Sequence, residues 1–351
     1  MSATEVTSLS IQPAAANTRR KLIGLSPALT AMAYPFFLQE FHAAVSPPDG
    51  ILSLARLLAA AGFLCGAFAM PLLGFGFAYR LAGVTRPSGF DLRARRLAYL
   101  SIASPPLFVF TGVTLGLARL PLPDIIVWIV AWLAVGIIAS SGSGTIEPQP
   151  AGPSITRWRV AHGVAAAAIA CFVLFHLTNH LFGLVGPDTH AAIMKSGRTI
   201  YRSPFVEPLL VGLLLFQVTS GIRLAWRWSS IRLDAARVFQ IGSGAYLAAF
   251  ILTHMNSVFI SARAVHKIET GWAYASGAPT GLIHDAWNIR LLPHYALGVF
   301  FILGHLASGL RGVMIAHGIS MSIANRIWIA GLAGAGLVSV AIISGLCGIR
   351  V

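Results

Sequence analysis

Residues 160–184 read VAHGVAAAAIACFVLFHLTNHLFGL, 25 positions without one Asp, Glu, Lys or Arg. A bilayer presents roughly 30 Å of hydrocarbon, and a helix rising about 1.5 Å per residue crosses it in about 20 residues. Working outward from this stretch, comparable apolar runs occupy 22–41, 57–79, 98–118 and 124–140 on the N-terminal side. On the C-terminal side they occupy 204–225, 239–262, 291–314 and 326–347. The sequence therefore predicts an all-α, polytopic transmembrane helix bundle of about nine spans. Eight is the competing count: Pro35 interrupts the first run, which ends on Glu40 and His42, and the fourth is short, bounded by Pro123 and Asp124.

Composition agrees. Of 351 residues, 56% are hydrophobic and 10% charged, with a mean hydropathy of +0.76. Soluble chains carry about 25% charged residues, so this inventory cannot build a water-facing surface. The net charge of +14 sits in short basic clusters between apolar runs. That pattern orients a membrane protein and does not form a nucleic-acid stripe. With nine spans and the N-terminus inside, 16 of the 25 Lys and Arg residues fall on the inner side. They include Arg80, Arg86, Arg93, Arg95 and Arg96 in one loop and Arg223, Arg227, Arg232 and Arg237 in another. This bias is what the positive-inside rule expects, and a bacterial cytoplasmic membrane is the expected location.

The chain divides into a polar tail at 1–21, an N-terminal transmembrane unit at 22–140, a Gly/Ser/Pro-rich linker at 141–158 and a C-terminal unit at 159–351. Trp272, Tyr274 and Trp287, in the loop near 263–290, suit the headgroup level. Cys65, Cys171 and Cys347 lie in apolar segments without motif spacing and read as small buried residues.

Histidines inside the spans carry the functional signal, because ionisable groups in hydrocarbon cost free energy. The fifth span holds His162, His176 and His180, the seventh His254, and the eighth His294 and His305. His176 lies about 16 residues, and His254 about 15, from the inner ends of their spans. Both spans run outward, so the two imidazoles reach nearly one depth. Two imidazoles at one depth on neighbouring helices can ligate one haem iron from opposite faces, an arrangement suited to electron transfer. The plainer reading of each is a packing histidine hydrogen-bonded to a neighbour. His162, His190, His266, His284, His294 and His317 fall at membrane edges or in loops, where solvated roles are expected.

The C-terminal unit resembles the five-helix cytochrome b membrane anchor of succinate dehydrogenases and quinol:fumarate reductases. The resemblance rests on Arg159-Val-Ala-His162, His176-Leu-Thr-Asn179-His180, Pro204-Phe-Val-Glu207, His254 and Gly304-His305-x-x-Ser308-Gly309, and covers about 190 of the 351 residues. It implies stacked b haems, with His176 and His254 on the iron of the outer one and His305 at the inner one. The inner partner position, four residues before Gly221, is Gln217. Because an amide is a poor ligand for haem iron compared with imidazole, one haem b is expected and a second is in question. The resemblance also implies a quinone as redox partner, with iron–sulfur and flavoprotein subunits docking on the cytoplasmic face. Glu207, at the outer start of the sixth span, is the candidate proton acceptor from a quinol; its plainer reading is a helix-start acid favoured by the dipole. Lys195, Arg198 and Arg202 just before it suit lipid phosphate or haem propionate. A cofactor-less membrane scaffold or assembly protein of the same fold is the alternative. A solute transporter fits less well, since the halves show no paired broken helices and few acidic residues.

Overall fold

A computed structural model describes residues 14–84, 87–141 and 153–351. The N-terminal helices are α1 (Ala14–Val45), α2 (Leu54–Ala82), α3 (Gly89–Ile102), α4 (Ser104–Leu117) and α5 (Asp124–Ser140). Then come α6 (Pro153–Leu181), α7 (Pro187–Tyr201), α8 (Val206–Trp228) and α9 (Ala235–Met255), the last continuing as a π-helix over Asn256–His266. Two short helices, α10 (Trp272–Ser276) and α11 (Gly281–His284), lead to the long α12 (Leu291–Ala316) and α13 (Met321–Leu346).

Among the described residues, seven helices are long and apolar enough to cross a bilayer: α1 from Leu22, α2, α6, α8, α9 with its π-helical end, α12 and α13. Large apolar side chains such as Ile137, Val164 and Leu337 stand on the outside of the bundle. No soluble protein would leave such a surface to water, and here it meets lipid. The chain is an integral membrane protein with an all-helical fold. Cys65 and Cys171, expected to be buried, are also on this surface.

Against the expected nine spans, the described residues give seven unbroken crossings, or eight with the α3–α4 pair, which bends by 69°. The third expected span, 98–118, straddles that bend. Its cause is Pro105 followed by Pro106: neither has an N–H, and their rings clash with a continuing turn. In the first turn of α4 those missing donors cost nothing, so one helix stops at Ile102 and another starts at Ser104. The fourth, α5, has 17 residues, short of the roughly 20 that a perpendicular crossing takes.

Of the expected tail and linker, residues 1–13 and 142–152 lie outside the described residues. Apart from Ser141 the remainder is helical, since α1 begins at Ala14 and α6 at Pro153. The N-terminal helices are built into the bundle. Helix α9 packs on α2, α3 and α4 as well as on α8 and α12. Helices in lipid associate by close packing and hydrogen bonds, which favours small residues where they cross. At Gly74 of α2 a Cβ would stand 2.9 Å from the carbonyl oxygen of Ala98 on α3, so only glycine permits that approach.

Polar ties hold both ends of this interface. The buried Arg95 of α3 donates to the carbonyls of Ser229 (2.8 Å) and Ile231 (2.7 Å) beyond α8, and to Leu81 (2.6 Å). Arg96 lies over the Trp226 ring at 3.4 Å. At the opposite end Arg290, which leads into α12, pairs with Asp124 at 2.7 Å. Between them Thr253 of α9 donates to the Pro106 carbonyl at 3.1 Å, a carbonyl near the bend.

Candidate functional site

Helices α6, α8, α9 and α12, capped by α7, line a cavity of about 1140 Å³. Half of its lining residues are Ala, Val, Leu, Ile or Phe, and the histidines among them are His162, His176, His180, His190, His254, His305 and His317. Arg159 and Arg237 line one end, and Arg198, Arg202, Glu207 and Arg263 the other.

Near the Glu207 end, His176 of α6 and His254 of α9 meet with ring centroids 6.0 Å apart and planes at 72°. Phe172 stacks on His176 at 5.6 Å and Phe250 on His254 at 5.8 Å, fixing both rings from behind. Among the described residues no hydrogen bond ends on either ring. A metal about 2 Å from an imidazole nitrogen lies about 3 Å from the ring centre, so two rings sharing it from opposite sides stand roughly 6 Å apart. No group of three or more His, Cys, Asp or Glu among the described residues is placed to hold a metal ion by itself. A porphyrin brings four nitrogens of its own and asks the protein only for two axial ligands. The pair, the apolar walls and the cavity volume fit such a group.

A second level lies further along the cavity. His162 Nδ1 is 2.7 Å from Ser220 Oγ, and His305 Nδ1 is 3.0 Å from Ser243 Oγ. Each serine hydroxyl donates backwards along its own helix, Ser220 to Phe216 O (2.5 Å) and Ser243 to Gln240 O (3.2 Å). With each Oγ accepting from an Nδ1–H, both Nε2 atoms would be bare lone-pair donors, the form a metal needs. His162 precedes His176 by 14 residues and Ser243 precedes His254 by 11, which sets this level about 16–21 Å from the first.

The amide of Gln217, expected opposite His305, points elsewhere: its Nε2 donates to the carbonyl of His162 at 2.8 Å. Sequence reasoning set His162 aside as an edge residue, and the structure puts it on the cavity wall. A periodic signal was present, since 14 residues is about four helical turns and places His162 on the face of His176.

His180 and His190 were likewise passed over. His180 touches both His176 and His190, with centroids at 4.8 and 5.2 Å. His190, on α7, takes a hydrogen bond from Asn179 at 3.1 Å and meets Trp272 at 4.8 Å. Burial, and then the nearby Arg198, push its imidazole below the usual range, so it stands neutral. His294 packs on Phe250 at 4.6 Å and does not line the cavity. Glu207 lines it with its carboxylate held by Arg263 through both oxygens, at 2.6 and 3.2 Å. Arg263 belongs to the π-helical segment that begins at Asn256, two residues after His254; such wide turns occur often at functional sites. Compared with protein-family models, curated proteins and solved structures, the chain matches none.

Proposed function

We propose that this chain is a cytochrome b-like membrane subunit that binds haem b between His176 and His254 and exchanges electrons with a quinone. The observation that carries the reading is the 6.0 Å approach of these two otherwise unbonded rings on the wall of a cavity of about 1140 Å³. A bound b haem supplies a one-electron carrier with no open coordination position.

The residues divide the remaining work. His176 and His254 would hold the iron, Phe172 and Phe250 would keep their rings in place, and the aliphatic walls would exclude water. His162 and His305, each with Nδ1 beside a serine hydroxyl, fit a second haem in the role first expected of His305 with Gln217. Glu207 is the group placed to take a proton from a quinol at the cavity end, since quinol oxidation releases protons with its electrons. Its bond to Arg263 must open for it to do so. In this reading the Glu207 end faces outward, as the expected charge bias suggests, and the Arg159 end faces the cytoplasm, where iron–sulfur and flavoprotein subunits would dock.

The test is the reduced-minus-oxidised spectrum of the full-length protein purified after expression with haem supplied. A b-type band with at least one haem per chain is expected, and His176→Ala and His254→Ala should each remove the same component. Absence of any band would leave a cofactor-less scaffold as the function.

A further inference from the structure

The Glu207 end of the cavity carries more positive than negative charge. Arg198, Arg202 and Arg263 line it, and Glu207 is fully engaged by Arg263. Arg198 gives one nitrogen to the exposed Glu269 at 2.8 Å and another to the Thr270 carbonyl at 2.9 Å, while its Nε is buried without a partner. Arg202 gives a single bond, to Thr270 Oγ1 at 2.8 Å. Burial, and next the adjacent Arg198, push the Arg202 guanidinium down from its usual range.

Both arginines line the same cavity as the histidine pair. A Cβ on Gly197 would stand 2.3 Å from the Phe175 ring, so glycine there lets α7 press onto α6. Tyr201 then meets Phe172 edge-on at 5.5 Å, and Phe172 stacks on His176 at 5.6 Å. Arg198 and Arg202, four residues apart, share a face at the end of α7, next to Tyr201, and line the cavity that His176 also lines. Resting on the haem reading above, we propose that Arg198 and Arg202 clamp the porphyrin carboxylates of the group held by His176 and His254. A ligand with an apolar body, two axial positions and paired carboxylates along one edge matches apolar walls, two imidazoles and two guanidiniums at one end. Guanidinium grips carboxylate through two parallel hydrogen bonds, strongest where water is thin.

The experiment titrates full-length apoprotein with protohaem and with its dimethyl ester, in which both carboxylates are blocked. Wild type should bind protohaem roughly tenfold to hundredfold more tightly than R198Q/R202Q does, the range for losing charge-assisted hydrogen bonds. The ester should bind both proteins alike, and wild type should bind it no better than the variant binds protohaem. Equal affinity of wild type for the two porphyrins overturns the clamp, as does a loss in the variant shared equally by both. Loss of co-purifying anionic phospholipid from the variant, with protohaem affinity unchanged, also overturns it and assigns the arginines to lipid phosphate. If wild type binds neither porphyrin, the haem reading falls and the clamp with it.

Discussion

The side-chain amide of Gln217 donates to the backbone carbonyl of His162 at 2.8 Å. That bond draws Gln217 back onto α6 and leaves His162, with its Nδ1 fixed by Ser220, as the imidazole that shares the deeper level with His305. Gln217→Leu should therefore leave the haem content of the purified protein unchanged. His162→Ala should remove the haem component that His305→Ala removes. Equal haem per chain in wild type and H162A would show that His162 is a packing residue.

Glu207 and Arg263 close the cavity end with a two-oxygen ion pair. Glu207→Gln preserves shape and removes the proton acceptor. The spectrum should stay as in wild type, while the rate of haem reduction by added quinol should fall roughly a hundredfold, a typical loss for general-base removal. An unchanged rate in stopped flow would strip Glu207 of that role and leave it a helix-start acid bonded to its neighbour.

Arg95 was counted from the sequence as one of several loop charges, yet it is fully buried. The carbonyls of Ser229 and Ile231 lose this donor in Arg95→Met, while that of Leu81 keeps the backbone N–H groups of Gly83 and Val84. Unsatisfied buried carbonyls cost about 1–3 kcal/mol each, so a total loss of roughly 2–5 kcal/mol is expected after relaxation. Thermal unfolding in detergent measures it. Arg232→Gln, an exposed change in the same region, should shift stability by less than about 0.5 kcal/mol.

These cases show what the chain discloses by itself. Apolar runs mark the helices well, because crossing hydrocarbon demands length and uniform composition. They hide the α3–α4 bend: hydropathy averages over Pro105 and Pro106, while the backbone responds to each. His162 was set aside through a boundary. Taking the fifth span to start near residue 160 leaves this histidine at the membrane edge, but α6 begins at Pro153, nine residues earlier, and carries His162 about 13 Å into the helix. The depth match of His176 and His254 needed only the rise per residue. The partners of Arg95 lie up to 136 residues away, and no local pattern announces them.

Ser220 and Ser243 provide a test of the deeper level that spares its histidines. Each Oγ is within hydrogen-bond reach of a histidine Nδ1 and of a carbonyl of its own helix, so it is available as the acceptor of an Nδ1–H. Removing that acceptor frees the ring to rotate or to change tautomer, and comparable outer-shell losses weaken metal binding by about 10–100-fold. Ser220→Ala and Ser243→Ala should each lower occupancy of the deeper haem at limiting haem supply and leave the His176–His254 component intact. Because Ser220 and Ser243 lie on α8 and α9, well apart from the outer pair, a fall in both components would indicate a loosened bundle. Unchanged occupancy in both variants would mean that the serines merely satisfy two packed histidines, and the deeper site would lose its chemical rationale.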